Sequence, residues 1–184
     1  KRLFFYDSAI KYYLECLDHV IPYTHSLYQK YTSIGLQRKN LSTIPWGVKI
    51  KKDKYSDDQR TDIRNLYMKS TDNVLFLWTG FIQQIAERDL SLTLDLAHQL
   101  VKRISNAEFL FSFKPEFQTV ARNYSTHHPR VKILNKVDNF EKLLASSDFL
   151  LSPIEKIDSI VAPPLTWIES INLGTPIITT AVNG

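Results

Sequence analysis

Trp167-Ile-Glu-Ser-Ile-Asn-Leu-Gly-Thr-Pro-Ile-Ile-Thr-Thr-Ala-Val182 decides the fold. It reads as a short helix, a glycine stop and a buried strand. Pro163 and Pro164 stand just ahead of it, where proline is tolerated because the first N–H groups of a helix have no partner within it. Leu165, Ile168 and Ile171 recur at helical spacing and predict an inward face. Gly174 suits a left-handed C-terminal cap, and Pro176 keeps the helix from resuming. Ile177, Ile178 and Val182 predict a strand buried on both faces, as in a parallel sheet. The start of such a helix offers N–H groups and positive potential, which suit phosphate. Glu169 lies about one turn further in, where its carboxylate can accept hydrogen bonds from sugar hydroxyls.

Upstream, strands and helices alternate. Residues 74–78 predict a buried strand leading to Thr79 and Gly80. Residues 89–103 predict an amphipathic helix, with Leu92, Leu96, Leu100 and Ile104 spaced by four. Strands follow at 107–113 and 131–134, a short helix at 140–144 and a strand at 149–151. Alternation of this kind implies parallel strands joined by right-handed crossovers: an α/β, Rossmann-like parallel sheet with helices on both faces. Ligands of such sheets sit at the carboxyl edge of the strands. That edge gathers Gly80, Lys114, Ser152 and the helix start at 166–169.

The first third is organised differently. Residues 8–17 predict a helix with Ile10, Tyr13, Leu14 and Leu17 on one face. Val20 and Ile21 predict a short strand, and Thr24 or Ser26 a cap for a second helix that runs to Ser33 and closes at Gly35. A strand is expected at 41–46, and a helix at 56–69 that begins with Asp57 and Asp58.

A chain of 184 residues with 43% hydrophobic content can bury a sizeable core. The net charge of +4 is modest. Lys49, Lys51, Lys52 and Lys54 are followed at once by Asp57 and Asp58, and no nucleic-acid recognition motif accompanies them. The run reads as a solvated linker, and nucleic acid is not an expected partner. Cys16 is the sole cysteine, so neither an internal disulfide nor a multi-thiolate metal site can form, and its apolar setting predicts a buried thiol. No metal-ligand spacing, dinucleotide fingerprint, Walker loop or nucleophile elbow occurs. No signal peptide and no run long enough to span a bilayer is seen, so a cytoplasmic setting is expected. The aromatics Phe4, Phe5 and Tyr6 leave room for peripheral contact with a membrane. The chain opens without Met and closes right after a buried strand, so further protein is expected on both sides.

The closing segment resembles the donor-binding signature of retaining GT-B glycosyltransferases of the family 4, or "group 1", class. The usual pattern there is Glu-Ala-Met-Ala-x-Gly-x-Pro-Val-Val; here Glu169, Gly174 and Pro176 stand at the matching positions. Asp18-His-Val-Ile with Ile44-Pro-Trp-Gly47-Val48 is similar to the end of the first GT-B domain. Leu75-Phe-Leu-Trp-Thr-Gly80 is similar to the first strand and glycine turn of the second. Leu143-Leu-Ala-Ser-Ser-Asp148 through Pro153 resembles that domain's "L-L-x-x-A-D" stretch. The matches fall in order over residues 18–184. They imply a remnant of the acceptor-side domain at 1–50, a hinge at 51–72 and a donor-binding domain, incomplete at its C-terminus, at 73–184.

The resemblance implies transfer of a sugar from a nucleoside diphosphate sugar to a glycan or lipid-linked acceptor, with anomeric configuration retained and no metal or other cofactor. Glu169 and Arg88 are the implied catalytic residues, and Gly80, Arg88, Lys114, Leu165, Thr166 and Glu169 the implied donor-binding set. Two departures bear on this. Phe81 stands where the family carries arginine after the glycine, leaving Arg88 to meet the diphosphate. The signature's earlier glutamate, which contacts the donor sugar, falls on Val161, and Glu155 and Asp158 nearby are out of register. A non-catalytic nucleotide- or sugar-binding module and a sugar-nucleotide epimerase on the same fold are the competing expectations. His25, after the first strand, is a further candidate for a cleft contact, and His127-His128-Pro129 reads as a polar turn.

Overall fold

The computed structural model describes residues 2–22, 24–44, 47, 55–80, 86–113, 128–134, 137–154 and 164–181, without the side chains of 2–6 and 86–89. It divides into two compact units, residues 1–49 and 50–183.

Among its described residues the first unit has two α-helices, α1 (Arg2–Glu15) and α2 (His25–Ser33), and a 3-10 turn at Arg38–Asn40. Thr24 caps α2 by accepting from the Leu27 N–H at 3.1 Å, which supplies one N–H that the helix itself cannot satisfy. A single parallel bridge joins Val20 to Leu41, in place of the strand expected on each side. Val20, Leu36 and Leu41 form the small core, with Leu14, Tyr28, Tyr31 and Ile34 packed against it. The expected inward face of the first helix is only partly realised. Leu14 packs, but Tyr13 is 69% exposed and Leu17, beyond the helix end, 42%. Cys16 is exposed rather than buried. The helix has ended at Glu15, and the thiol lies in the following turn, 3.3 Å from the Tyr12 carbonyl.

The second unit is a five-stranded parallel sheet in the order β3-β2-β1-β4-β5. The strands are β1 (Val74–Gly80), β2 (Ala107–Phe113), β3 (Val131–Leu134), β4 (Phe149–Ser152) and β5 (Ile177–Thr179). The helices are α3 (Asp57–Tyr67), α4 (Ala86–Arg103), α5 (Phe140–Ala145) and α6 (Leu165–Leu173). Helices cover both faces. On one face α4 packs Leu90, Leu94, Ala97 and Val101 against Phe76, Trp78, Phe109 and Phe111. On the other, Ile63 and Tyr67 of α3, Leu143 and Leu144 of α5, and Trp167 and Leu173 of α6 cover Leu75, Leu77, Leu110 and Leu150. Continuous apolar strands are what burial on both sides requires. Residues 57–72, expected as hinge, form α3 and a turn packed on this unit, where Met68 is buried.

Two helical faces differ from expectation. Leu92 and Leu96 of α4 are 47% and 38% exposed and Ile104, one residue past its end, 37%, whereas the buried row holds Leu90, Leu94, Ala97 and Val101. Steps of four overshoot the 3.6-residue turn, so an unbroken i+4 row drifts around the helix and cannot all face one way. On α6 the inward residues are Trp167, Ser170 and Leu173, whereas Ile171 is 70% exposed and Leu165 also exposed. β5 is the outer strand of the described sheet, with Ile177 half-buried and Ile178 exposed, so it is not buried on both faces. Val182 lies outside the described residues.

The amino edge of the sheet is fastened by polar groups. Glu108, fully buried, accepts from the backbone N–H of Lys69 at 2.9 and 3.0 Å and from Asn73 Nδ2 at 2.6 Å. Arg64 donates to Asp148 at 3.1 Å and to the carbonyls of Thr71, Asn73 and Ser146, and Asp148 also accepts from the Leu75 N–H at 2.7 Å. Arg130 donates to the carbonyls of Val101, Ile104, Ser105 and Ala107, closing the C-terminus of α4. Lost hydration, and then the nearby Arg130, His98, Lys69 and Lys102, hold the pKa of His128 below 6.5.

Candidate functional site

The strand order carries the positional argument. From β1 the chain steps one way to β2 and β3, then crosses back to β4 and β5 on the other side of β1. The carboxyl ends of β1 and β4 therefore flank a topological switch point, the place where open α/β sheets bind ligands. Gly80 ends β1 and Ser152 ends β4. β4 and α6 are consecutive described elements, so the start of α6 returns toward this edge.

That start is fixed by one side-chain contact. Trp167 Nε1 donates to Ser152 Oγ at 2.8 Å, tying the first turn of α6 to the end of β4. The Ser152 carbonyl in turn accepts from Thr179 Oγ1 of β5 at 2.8 Å. Pro164 is the N-cap and offers no side-chain acceptor to the helix. Its carbonyl receives the Trp167 N–H at 2.9 Å, the first bond of the helix. The N–H groups of Leu165 and Thr166 precede that bond and point out of the helix end. At the other end Gly174 takes φ 78°, and its N–H returns to the carbonyls of Ser170 and Ile171. Ser170 Oγ donates to the Thr175 carbonyl at 2.7 Å, and Thr175 Oγ1 to the Leu144 carbonyl at 2.8 Å. The buried side of α6 is thus locked by hydrogen bonds, and its outer side is open.

Glu169 is on that outer side, exposed, with no hydrogen bond or ion pair to a described residue. Thr166 is half-buried one turn earlier, and Leu165 is exposed. These three are brought together on the first turns of α6. Gly80 stands at the same sheet edge, for a local reason as well. A Cβ there would lie 2.7 Å from the indole of Trp78, which is 5% exposed and packed on Phe111 and Phe113. The backbone of Arg88 is in the first turn of α4, which follows β1, while its side chain is outside the described residues. Lys114, Phe81, Glu155, Asp158 and Val161 also lie outside them. His25 begins α2, where it stacks on Tyr28 with ring centres 6.0 Å apart and meets Gln29 at 3.0 Å.

Trp167 shapes the site without being among the expected site residues, and its partner Ser152 is one of the residues expected at this edge. Trp167 and Ser152 set where the helix begins, and the signal available was an indole N–H in a buried helix face, which requires a nearby acceptor. Among the described residues no group of three or more His, Cys, Asp or Glu could hold a metal ion, and no helix is long and apolar enough to cross a membrane.

No family model and no curated protein sequence matches the chain. Solved structures do. Anabaena HepE in complex with UDP-glucose superposes with a TM-score of 0.60 at 13% identity, over 88% of this chain and 44% of that one. WaaG, a glycosyltransferase involved in lipopolysaccharide biosynthesis, gives 0.63 at 20% identity, over 89% and 44%. A putative UDP-N-acetylglucosamine 2-epimerase from Listeria monocytogenes gives 0.56 at 14% identity, over 89% and 42%. The likeness is one of fold: this chain shares the Rossmann-like architecture of GT-B glycosyltransferases and spans less than half the length of those structures.

Proposed function

We propose that the chain is the donor-binding part of a glycosyltransferase of the retaining, family 4 type, moving a sugar from a nucleoside diphosphate sugar to a glycan or lipid-linked acceptor. The observation that carries this reading is the start of α6 at the switch point, with Glu169 on its open side and no described partner. The fold likeness to a protein crystallised with UDP-glucose supports the same donor class.

In this reading the diphosphate meets the N–H groups of Leu165 and Thr166, where the helix end supplies partial positive charge worth up to about 2 kcal/mol in a favourable site. Gly80 leaves the sheet edge open, and Arg88 and Lys114 add positive charge against the departing diphosphate, so no metal is called on. Glu169 accepts from the ribose hydroxyls. The acceptor is bound by the part of the protein that precedes residue 50, and a lipid-linked acceptor would hold the enzyme at the cytoplasmic face of a membrane. The epimerase reading is favoured by the Listeria likeness, and the binding-module reading by Val161 and Phe81 at positions where the family has charged residues.

Titration of the chain with UDP-, GDP- and ADP-sugars tests the donor site. One nucleotide class should bind selectively, and Glu169→Gln should weaken it by about tenfold, the loss of a hydrogen bond to a charged group. A folded chain that binds none of them, or whose affinity is the same in the Glu169→Gln variant, would refute the assignment. Conversion of a UDP-sugar to its epimer without acceptor would favour the second reading.

A further inference from the structure

Strand alternation places Ser152 on the same face of the sheet as Leu150, the face that Trp167 covers from α6. Ser152 is half-buried there, at the carboxyl end of β4. Its hydroxyl differs from those around it in the direction of its hydrogen bond. Ser170, Thr175, Thr179 and Thr180 each donate the hydroxyl proton to a backbone carbonyl. Ser152 Oγ accepts instead, from Trp167 Nε1 at 2.8 Å, and its own proton has no acceptor among the described residues. An indole N–H only donates, so this bond cannot run the other way. Trp167 packs against the core of that face, which keeps its N–H in place. Trp167 and Thr179 therefore occupy a lone pair and the carbonyl of Ser152, and what Ser152 has left at the sheet edge is a proton to give.

The same bond brings the hydroxyl to the first turn of α6, whose Leu165 and Thr166 N–H groups precede the first bond of the helix. Ser152 thus adds a hydroxyl donor from β4 to two N–H donors from the helix end. A phosphate oxygen is charged and only accepts, so it is the ligand group that suits all of them. We propose that Ser152 donates its hydroxyl proton to a phosphate oxygen of the bound nucleoside diphosphate, and that Trp167 is the positioning residue that holds the hydroxyl in that role. The inference rests on the donor-site reading and goes past it, because a diphosphate seated on the helix end alone needs no donor from β4.

Calorimetric titration of the 184-residue chain with UDP, GDP and ADP selects the diphosphate, and Ser152→Ala is then compared with Trp167→Phe. Both variants lose the indole bond, but only Ser152→Ala loses the proton meant for the ligand. Ser152→Ala should therefore bind the diphosphate about tenfold more weakly than Trp167→Phe does, the loss of a hydrogen bond to a charged group. Ser152→Thr, which keeps the hydroxyl, should restore most of that difference. The matching nucleoside, followed by saturation-transfer NMR, should lose no more in Ser152→Ala than in Trp167→Phe. Thermal melting shows that the variants are folded, and Ser152→Cys, close in size and a weak donor, is read in the same way if Ser152→Ala is not. Equal diphosphate affinity in Ser152→Ala and Trp167→Phe would overturn the inference, leaving the hydroxyl as a tie for the helix. An excess loss that is as large for the nucleoside would also overturn it, because the contact would not be with phosphate. In both of those cases a diphosphate that still binds, and binds more weakly in Glu169→Gln, leaves the donor-site reading standing. A folded parent chain that binds none of the three diphosphates would sink that reading and this inference together.

Discussion

Glu108 and Glu169 are the same side chain put to opposite uses. Glu108 is fully buried with its oxygens supplied by Lys69, Ser70 and Asn73, and Glu169 is exposed without a described partner. Glu108→Ala strands those donors and should cost about 3 kcal/mol in chemical denaturation, with nucleotide affinity unchanged in the folded fraction. Gly80→Ala drives a methyl group into the Trp78 indole, and overpacking of that kind costs about 2 kcal/mol. His128 adds a pH dependence. Its folded pKa lies below 6.5, so between that value and 6.5 the unfolded chain binds more protons, and stability falls as pH drops through this window and levels off above it. The fall should be smaller in His128→Gln, read as melting temperature against pH. Lost hydration leads this shift, and of the charged neighbours that add to it only Arg130 is local in sequence; His98, Lys69 and Lys102 are brought in by the fold.

At the scale of elements, α6 is held by one indole hydrogen bond at its start and by Ser170, Gly174 and Thr175 at its end. Trp167→Phe keeps the ring but frees Ser152. It should lower stability by about 1 kcal/mol and weaken nucleotide binding measured by calorimetry, whereas Ile171→Ser on the open side should change neither. The helix itself is legible in the sequence because Pro164, Gly174 and Pro176 punctuate it by local chemistry. Its inward face is not. Leu165, Ile168 and Ile171 satisfy a helical period as well as Trp167, Ser170 and Leu173 do, and a buried serine bonded to a carbonyl looks polar to any apolar count. The same ambiguity displaces the stripe on α4, where Thr93 and Ala97 are buried and Leu92 is not. Cys16 departs from its expected burial because one residue past a helix end reverses a side chain's surroundings.

For the whole molecule, the alternation of strands and helices fixes a parallel sheet, and the order β3-β2-β1-β4-β5 turns that sheet into a position for a ligand. The order is not in the pattern: which side of β1 receives β4 depends on packing across both faces. All the residues proposed for the donor site lie in the unit that spans 50–183. That unit expressed alone should bind the same nucleotide class as the entire chain, within about threefold, below the tenfold that 1.4 kcal/mol would give. The account rests on the start of α6 as the diphosphate's seat, and amide hydrogen exchange with and without saturating UDP tests it most directly. Slowed exchange at residues 165–169, reduced in Glu169→Gln, is the predicted result. Binding of UDP with no protection there, or protection confined to the first unit, would contradict it.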